Sequence, residues 1–376
     1  STRKESSAAS DVYKRQMIRP TPRLEIHTDR IAENLHAIVG QCTEHGVQVA
    51  AVTKVLGAHP ALLAALPNTG VSMVADSRLT NLERVAAADL GVPTLLLRPP
   101  APRTAARTVQ VADASLNSSL VTMQALSEAA EMVGTRHGVI IMVDVGDLRE
   151  GVWPDHVVDL VSQTSHLPGL DILGLGTNLA CYGGVIPTAD KMELLVNLRD
   201  EASRVTGLPL ELISGGNSAN LPLMVSGQMP AQINQLRIGE AAILGRNTLD
   251  RSAWPGTRQD TVELVTEVVE LERKPSIPQG ERGQDAFGQT VKFVDRGVRL
   301  RAICDLGRQD VAPEDLTPVD PGHIVLGASS DHLIIDVTDG DTTLRVGSEI
   351  RLRPTYGGLL TASTCADVWK TSADER

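Results

Sequence analysis

The chain has 376 residues, which is long enough to bury a large core and to form two domains. Its formal net charge of −11 argues against nucleic acid or an anionic membrane surface as the main partner. No apolar run approaches the roughly 20 residues that a membrane-spanning helix needs. The four cysteines are widely spaced, and the nine histidines form no metal-ligand pattern. We therefore expect a reduced, cytoplasmic protein without a metal site.

Residues 1–20 are predicted to form a disordered or non-native tail, because the first 16 are polar and lack the apolar centre of a signal peptide. From about Pro22 a short strand and an amphipathic helix follow, and then a unit of apolar strand, polar turn and helix repeats. Eight strands are predicted near residues 47–53, 70–75, 93–97, 111–116, 138–143, 171–176, 210–214 and 234–238.

Continuously apolar strands that alternate with helices indicate a parallel sheet, since each crossover helix covers one face of it. Eight such units between residues 21 and 250 predict an α/β fold, a (β/α)8 TIM barrel, with a doubly wound open sheet as the alternative. After residue 250 the pattern changes to apolar and polar residues in alternation, as in TVELVTEVVEL from Thr261. We expect residues 251–376 to form a C-terminal antiparallel β domain.

One lysine stands in an unusual place. The stretch VAAVTKVLG, residues 49–57, predicts a buried strand that runs directly into Lys54. The only other lysine between Pro20 and Asp250 is Lys191, on an amphipathic helical stretch where a solvated lysine is ordinary. Burying an ammonium without a partner is costly. Lys54 therefore either extends along its aliphatic chain to water or serves as a desolvated nucleophilic amine.

Polar side chains follow each predicted strand, at the end where barrels carry their active sites. The seventh strand runs into SGGNS, residues 214–218, whose backbone N–H groups near a helix start suit a phosphate; a plain glycine-rich turn is the alternative. Arg237 lies inside the apolar eighth strand and needs a buried partner, either Glu240 or an acceptor on a ligand. An amine that can form an imine, a phosphate site and an arginine directed at an acceptor on a ligand would thus lie on one rim of the barrel. Together these three groups describe a site for pyridoxal phosphate.

Several collinear segments between about Pro22 and Lys370 carry a specific resemblance. They are VTKV at Lys54, ADSRLTNLE from Ala75, MVDVGDLREG from Met142, GTNLACYGGV from Gly176, ISGGNSANL from Ile213, LRIGEAAILGR from Leu236 and GASSDHLIIDVTD from Gly327. With them the chain resembles the barrel-type racemases of the alanine racemase fold group, and among these the alanine/ornithine racemases. The resemblance implies pyridoxal 5'-phosphate as the cofactor and a homodimer with shared active sites.

The resemblance also implies roles for single residues. Lys54 matches the lysine that forms the Schiff base and moves the Cα proton, and Arg237 matches the arginine that hydrogen-bonds the pyridine nitrogen. Arg149 matches the arginine that orients the substrate carboxylate, with a surface ion pair to Glu150 as the alternative. Asn178 stands where alanine racemases place a histidine near the cofactor ring. The residues that match the phosphate-binding group are Ser214, Gly215, Gly216, Ile238 and Gly239.

The second catalytic base is left open. Alanine racemases place a phosphate-binding tyrosine four residues after the lysine, where this chain has Ala58. Their opposite-face tyrosine has no counterpart in residues 303–311. Racemisation through two bases needs an acid/base group on each face of the carbanion. Ser330 and Asp331 match a substrate-side loop of the partner subunit, and Tyr356 matches an entrance tyrosine of that subunit. The candidates for the second base are Tyr182, Cys304, Asp331 and Tyr356.

We predict an amino-acid racemase, an isomerase that interconverts L and D forms, with ornithine or another basic amino acid favoured and alanine as a further substrate. Four carboxylates are candidates to receive a distal ammonium: Asp76, Asp147, Glu150 and Asp331. Two other functions stay open. One is a barrel-type pyridoxal phosphate aldolase, which would usually need a metal near the site. The other is a pyridoxal phosphate carrier or regulator without turnover, against which the second domain counts.

Overall fold

The computed structural model describes residues 19–373, and the chain divides into two units. Residues 26–262, with residues 372 and 373, form the barrel unit. Residues 263–371, with the first strand β1 (Arg23–Ile26), form the sheet unit. Residues 1–18, most of the predicted tail, lie outside the described residues. Within the described part of the chain, no helix is both long and apolar enough to cross a membrane.

Eight parallel strands close into a barrel in the barrel unit. Each strand pairs with the next in the chain, and the last pairs with the first, so no edge is left open. The predicted (β/α)8 barrel is confirmed, and the open doubly wound sheet is wrong. The strands are β2 (Gln48–Val52), β3 (Met73–Asp76), β4 (Thr94–Leu96), β5 (Ala114–Asn117), β6 (His137–Met142), β7 (Leu170–Gly176), β8 (Leu212–Asn217) and β9 (Gln235–Ile238).

Helices connect the strands, and small or branched apolar side chains fill the barrel interior, among them Ala50, Ala75, Leu116 and Ile140. Chemistry is therefore confined to the strand ends. The helices are α1 (Thr28–Glu44), α2 (Pro60–Leu63), α3 (Leu79–Ala87), α4 (Ala105–Val111), α5 (Leu120–Met132), α6 (Val157–Thr164), α7 (Ala189–Thr206), α8 (Leu221–Val225) and α9 (Glu240–Leu244). Short 3-10 helices span Lys54–Leu56, Pro102–Thr104, Pro154–His156 and Ser218–Asn220.

The sheet unit contains an eight-stranded sheet whose central strands run in the order β12–β15–β10–β11–β14–β13 and pair antiparallel. The predicted C-terminal antiparallel sheet is confirmed. β1, which the sequence analysis grouped with the barrel, pairs with β10 and β16 of this sheet. The bounds are β10 (Val262–Pro275), β11 (Val298–Cys304), β12 (Leu316–Pro318), β13 (Ile324–Ala328), β14 (Leu333–Asp336), β15 (Glu349–Pro354) and β16 (Trp369–Ser372). A 3-10 helix (Pro313–Asp315) and helix α10 (Tyr356–Thr364) complete the unit.

Candidate active site

Lys54 lies directly after β2, at the carboxyl end of the barrel strands. It begins the 3-10 helix Lys54–Leu56, which ends at Gly57 in the left-handed conformation with φ of 60°. Such a turn suits glycine, because a Cβ disfavours this backbone region. The short helix directs the chain away from the barrel and leaves Lys54 at its rim.

The segment that carries Lys54 is anchored to the neighbouring strand. The hydroxyl of Thr53 donates a hydrogen bond to Asp76 Oδ2 at 2.7 Å. The other oxygen of this fully buried carboxylate accepts bonds from the Arg78 backbone N–H at 2.9 Å and from Asn81 Nδ2 at 3.0 Å. Asp76 thus has its carboxylate committed within the protein, and it is not free to receive a substrate ammonium. This corrects the expectation that Asp76 is a candidate for that role.

The amine of Lys54 is partly buried, and it has no hydrogen-bond or ion-pair partner among residues 19–373. Burial lowers its pKa below the usual value for lysine. The positive charges of Arg149 and Arg237 lower the pKa further, while the charges of Cys181 and Asp76 oppose that shift. A lysine with a lowered pKa carries more of the neutral amine, which is the nucleophilic form. These properties match the nucleophilic alternative better than a solvated lysine.

Arg237 projects from β9 and is almost fully buried. Its guanidinium donates to Ser214 Oγ at 2.5 Å and to the Thr177 carbonyl oxygen at 2.7 Å. The alternative ion pair with Glu240 is not formed, because Glu240 pairs with Arg251. Burial lowers the pKa of Arg237 to about 10, and the charge of Arg149 adds to this shift. The buried cation is therefore held by neutral oxygens.

Gly215 and Gly216 give the end of β8 an irregular shape. The register between β8 and β9 slips by one residue between Ser214 and Asn217. Gly216 has φ of +136°, and a Cβ on it would lie 2.5 Å from Asn220 Oδ1. Only glycine fits at this position. The irregularity turns the backbone from β8 into the 3-10 helix Ser218–Asn220.

Ser218 joins the loops after the seventh and eighth barrel strands. Its buried hydroxyl oxygen accepts from the backbone N–H groups of Gly239 and Ala241, both at 3.4 Å. Two backbone amides and a hydroxyl thus converge where barrels often bind phosphate. The sequence analysis quoted Ser218 within SGGNS and assigned it no role. A hydroxyl at a helix start, two residues after a glycine pair, was the available signal.

Asn178 follows β7 and lies beside Arg237. Its Oδ1 accepts from Asn217 Nδ2 at 3.2 Å and from Arg237 Nη2 at 3.4 Å. Its Nδ2 is buried and has no hydrogen-bond partner within the described part of the chain. A buried amide hydrogen without an acceptor is uncommon in proteins, and a ligand is one way to satisfy it.

Arg149 lies in the loop after β6 and forms the ion pair with Glu150 that was its alternative assignment. It also donates from Nη1 to Cys181 Sγ at 3.1 Å. The charge of Arg149 lowers the pKa values of both Lys54 and Arg237, so the surface ion pair lies within the electrostatic reach of the site. Cys181 was not among the predicted site residues, because nothing in the sequence pairs it with Arg149.

Asp147 ties the loop after β7 to the loop after β6. Its carboxylate is almost fully buried, and it accepts from the backbone N–H groups of Tyr182 at 2.9 Å and Val185 at 3.1 Å. A Cβ on Gly183 would lie 2.7 Å from the Asp147 carbonyl oxygen, so the loop after β7 packs closely against the loop after β6 at this point. Asp147 is thus a loop anchor, and the expectation that it receives a substrate ammonium is corrected.

Comparisons with known proteins fit this geometry. The family model for the alanine racemase N-terminal domain matches residues 26–246, which hold every barrel strand. The chain belongs to the alanine racemase family. It is 40% identical over 350 residues to a lysine racemase from Thermotoga maritima, covering 93% of this chain and 98% of that protein. It is also 40% identical over 344 residues to an ornithine racemase from Acetoanaerobium sticklandii, covering 91% and 97%.

Solved structures of other proteins share the fold. An alanine racemase from Clostridium difficile 630 superposes with a TM-score of 0.69 at 18% identity, covering 91% of this chain and 93% of that one. A D-threonine aldolase from Filomicrobium marinum gives a TM-score of 0.69 at 17% identity, covering 92% and 88%. At these identities the similarity establishes the fold alone. Over residues 19–373, no group of three or more His, Cys, Asp or Glu side chains is arranged to hold a metal ion.

The candidates for the second base lie in both units. Tyr182 is 78% exposed on the loop after β7 of the barrel unit. Cys304 is fully buried in β11 of the sheet unit, and burial raises the pKa of its thiol to about 12. A buried thiol with this pKa is a poor proton acceptor, which argues against Cys304. Asp331 is exposed between β13 and β14 and accepts from Ser330 Oγ at 2.8 Å, while Tyr356 begins α10.

Proposed function

We propose that this member of the alanine racemase family is an amino-acid racemase that depends on pyridoxal phosphate and acts on a basic amino acid, ornithine or lysine. The observation that carries the proposal is the partly buried amine of Lys54, which has a lowered pKa and no partner among the described residues. The 40% identity to a lysine racemase and an ornithine racemase over more than nine-tenths of the chain supports the substrate class.

The residues of the rim fit the cofactor. The phosphate-binding end would consist of Ser214, Gly215, Gly216, Ile238 and Gly239. The contacts of the Ser218 hydroxyl support this assignment. It lies 3.4 Å from the backbone N–H groups of Gly239 and Ala241, and because these hydrogen bonds are long, both N–H groups can still bind a phosphate. Arg237 and Asn178 would face the pyridine ring, and the unpartnered Nδ2 of Asn178 is the observation that favours a ligand there. Lys54 would bind the aldehyde carbon.

When bound, pyridoxal phosphate supplies an electron sink that makes the Cα proton of an amino acid acidic. Lys54 Nζ would accept this proton on one face, because its lowered pKa increases the fraction of neutral amine. Arg237 would donate to the ring nitrogen without losing its own proton, since its pKa of about 10 is still well above neutrality. By keeping its proton, Arg237 would hold the ring nitrogen unprotonated, which would weaken the electron sink and favour return of the proton over side reactions. Arg149 would orient the α-carboxylate.

We propose that the second base comes from Tyr182, Asp331 or Tyr356, in a homodimer whose sites are completed by the partner subunit. Single changes at these positions, with Cys304 as the fourth, test the assignment. The variant that lacks the second base should lose Cα exchange in one stereochemical direction and keep it in the other. If all four variants retain both directions, the base is a different residue.

Racemisation is tested by incubating single L-amino acids with the holoenzyme in deuterated water and following Cα by NMR. We expect deuterium incorporation and D-isomer formation with ornithine or lysine, and a loss of at least about 100-fold in Lys54→Ala. An imine absorbance band that persists in Lys54→Ala would rule out Lys54 as the Schiff-base residue. Cofactor binding without exchange of any basic or small amino acid would favour a carrier. Release of an aldehyde from β-hydroxy amino acids would favour an aldolase.

A further inference from the structure

Arg149 and Glu150 form an ion pair at the rim of the barrel unit, and the proposed reaction gives a role to Arg149 alone. Two of the four acidic residues predicted to receive a distal ammonium, Asp76 and Asp147, are buried, and both oxygens of each carboxylate accept hydrogen bonds from the protein. Glu150 differs from both. Its side chain is 20% exposed, and its partner is Arg149, the residue proposed to bind the substrate carboxylate.

The position of Glu150 is set by an ordered loop. Asp144 Oδ1 accepts from the backbone N–H groups of Gly146 at 2.8 Å and Leu148 at 3.2 Å, which fixes the turn after β6. Leu148 takes φ of +55°, an uncommon conformation for a branched residue. Glu150 follows this turn, and its charge opposes the lowering of the pKa of the buried Arg237 by burial. Its partner Arg149 also donates to Cys181 Sγ at 3.1 Å, in the loop after β7 that carries Asn178, so the ion pair lies at the same rim as Asn178.

We propose that Glu150 is a specificity-determining residue whose carboxylate receives the distal ammonium of a diamino acid while Arg149 receives the α-carboxylate. The inference rests on the proposed function, and it assigns the substrate class to one residue of the site.

The physical basis is an exchange of ion-pair partners. In the free protein Arg149 and Glu150 neutralise each other. A diamino acid carries an α-carboxylate and a distal ammonium. Arg149 would pair with the carboxylate and Glu150 with the ammonium, so neither residue is left without a partner. An amino acid with an apolar side chain would draw Arg149 away and leave the partly buried Glu150 without a partner, which is unfavourable. The pair thus selects for diamino acids and against neutral ones.

The test compares ornithine with norvaline, which has the same carbon chain and lacks the distal amine. We expect Glu150→Gln to lower kcat/KM for ornithine roughly 10- to 100-fold, as loss of a charged hydrogen bond predicts, and to leave norvaline unchanged or improved. Glu150→Asp, which keeps the charge, should retain a preference for ornithine. The matched control is Glu83→Gln, because Glu83 forms a similar pair with Arg107 at 2.7 Å on the helical surface of the barrel unit.

A second readout needs no turnover. Ornithine should raise the thermal unfolding midpoint of the wild-type holoenzyme more than norvaline does, and Glu150→Gln should remove that difference. An equal fall of kcat/KM for both amino acids, or an unchanged ratio, overturns the assignment of Glu150. A shift of the ratio by Asp331→Asn instead of Glu150→Gln also overturns it. Absence of any racemisation by the wild type contradicts the proposed function itself, so the two failures are distinguishable.

Discussion

Lys191 Nζ donates a hydrogen bond to the carbonyl oxygen of Val145 at 2.7 Å, and so ties helix α7 to the loop that leads to Arg149. Val145 is almost fully buried, and Lys191 is partly buried. A Cβ on the neighbouring Gly146 would lie 3.1 Å from the same Nζ, so the lysine packs closely on the loop. The amphipathic pattern around Lys191 predicts an ordinary solvated lysine. That expectation is wrong, because the loop after β6 lies against the first turn of the helix.

Lys191→Met should therefore loosen the loop that positions Arg149. The buried Val145 carbonyl would lose its donor, at a cost of about 1–3 kcal/mol in stability. We expect KM for the amino-acid substrate to rise several-fold with a smaller change in kcat, because Lys54 itself is untouched. Steady-state racemisation kinetics check this. The control is Lys274→Met, whose lysine pairs with Glu270 on an exposed part of the sheet unit. An unchanged KM in Lys191→Met would contradict the positioning role.

Ser218→Ala should weaken the proposed phosphate-binding end. The Ser218 hydroxyl would be lost as a group that contacts the phosphate, whereas its bonds to the N–H groups of Gly239 and Ala241 are long at 3.4 Å, so we expect the free energy of unfolding to fall by less than about 1 kcal/mol. Affinity for pyridoxal phosphate should fall in parallel, and spectrophotometric titration of the apoprotein measures it. Ser226→Ala is the control, because Ser226 is exposed and bonds only to the Leu223 carbonyl oxygen. Equal cofactor affinity in both variants would argue against Ser218.

His137 should make the stability of the barrel unit depend on pH. The ring is buried and bonds through Nε2 to Ser115 Oγ at 2.8 Å. Burial lowers its pKa from 6.5 to about 4, against the opposing effects of the Ala112 backbone and Asp113. Since the unfolded chain binds the proton more readily, stability is full above pH 6.5 and is lost as pH falls towards 4.

The shift predicts that the free energy of unfolding falls by roughly 2 kcal/mol between pH 7.5 and pH 5 through this group alone. Urea unfolding of the wild type and His137→Gln at both pH values measures the difference. The variant should show a correspondingly weaker pH dependence, whereas His36→Gln, which changes an exposed histidine, should behave as the wild type. A pH dependence that is the same in all three proteins would exclude His137 as its source.

Glu25 is the centre of a buried charge network in the sheet unit. It accepts from Arg23 Nε at 2.8 Å and from Arg351 Nη1 at 2.6 Å. Burial would raise the pKa of Glu25, but the hydrogen bonds from Arg351 and Arg23 outweigh it and bring the pKa below its usual value. The stability that the carboxylate contributes is therefore present above its unfolded pKa of 4.5 and lost as pH falls below it.

Glu25→Gln should lower the free energy of unfolding by about 1–3 kcal/mol, because it removes the shared carboxylate and leaves the buried Arg23 with Glu349 alone and the more exposed Arg351 with Glu263 alone. Chemical denaturation at neutral pH measures this loss. Glu314→Gln is the control, since the exposed pair of Glu314 with Arg308 should contribute less than about 1 kcal/mol. A loss of the same small size in both variants would show that the network does not stabilise the sheet.

Much of the fold was predictable from local patterns. Apolar strands such as residues 138–143 are buried on both faces, so their apolar residues follow one another directly in the sequence. Their order placed Lys54, Asn178, Ser214 and Arg237 on one rim before any contact was known, since parallel strands end at the same side. The family assignment, carried by motifs such as LRIGE, is confirmed by the match to the alanine racemase N-terminal domain.

Side-chain partners were not predictable in the same way. Asp76 and Asp147 look like free carboxylates in the sequence, but each accepts a hydrogen bond from a residue more than twenty positions away, Thr53 and Tyr182 respectively. Cys181 contacts Arg149 and Ser218 contacts Gly239, and in both cases the partner lies in a different loop. The alternative pairing of Arg237 with Glu240 failed because Arg251, eleven residues further along, takes that carboxylate.

The sequence by itself determined the barrel, the antiparallel sheet and the unusual lysine at a strand end. Periodicity, burial and the cost of an unpaired ammonium are properties of short stretches of chain. Only the tertiary structure decided which charged side chains are hydrogen-bonded within the protein and which are available to a ligand. Hydrogen bonds and ion pairs form between loops that are distant in the chain, and their geometry depends on how each strand end turns. The lysine that stood out in the sequence thus lies among specific neighbours: Arg149 and Arg237, whose charges help to lower its pKa, and Asp76, which anchors the segment that carries it.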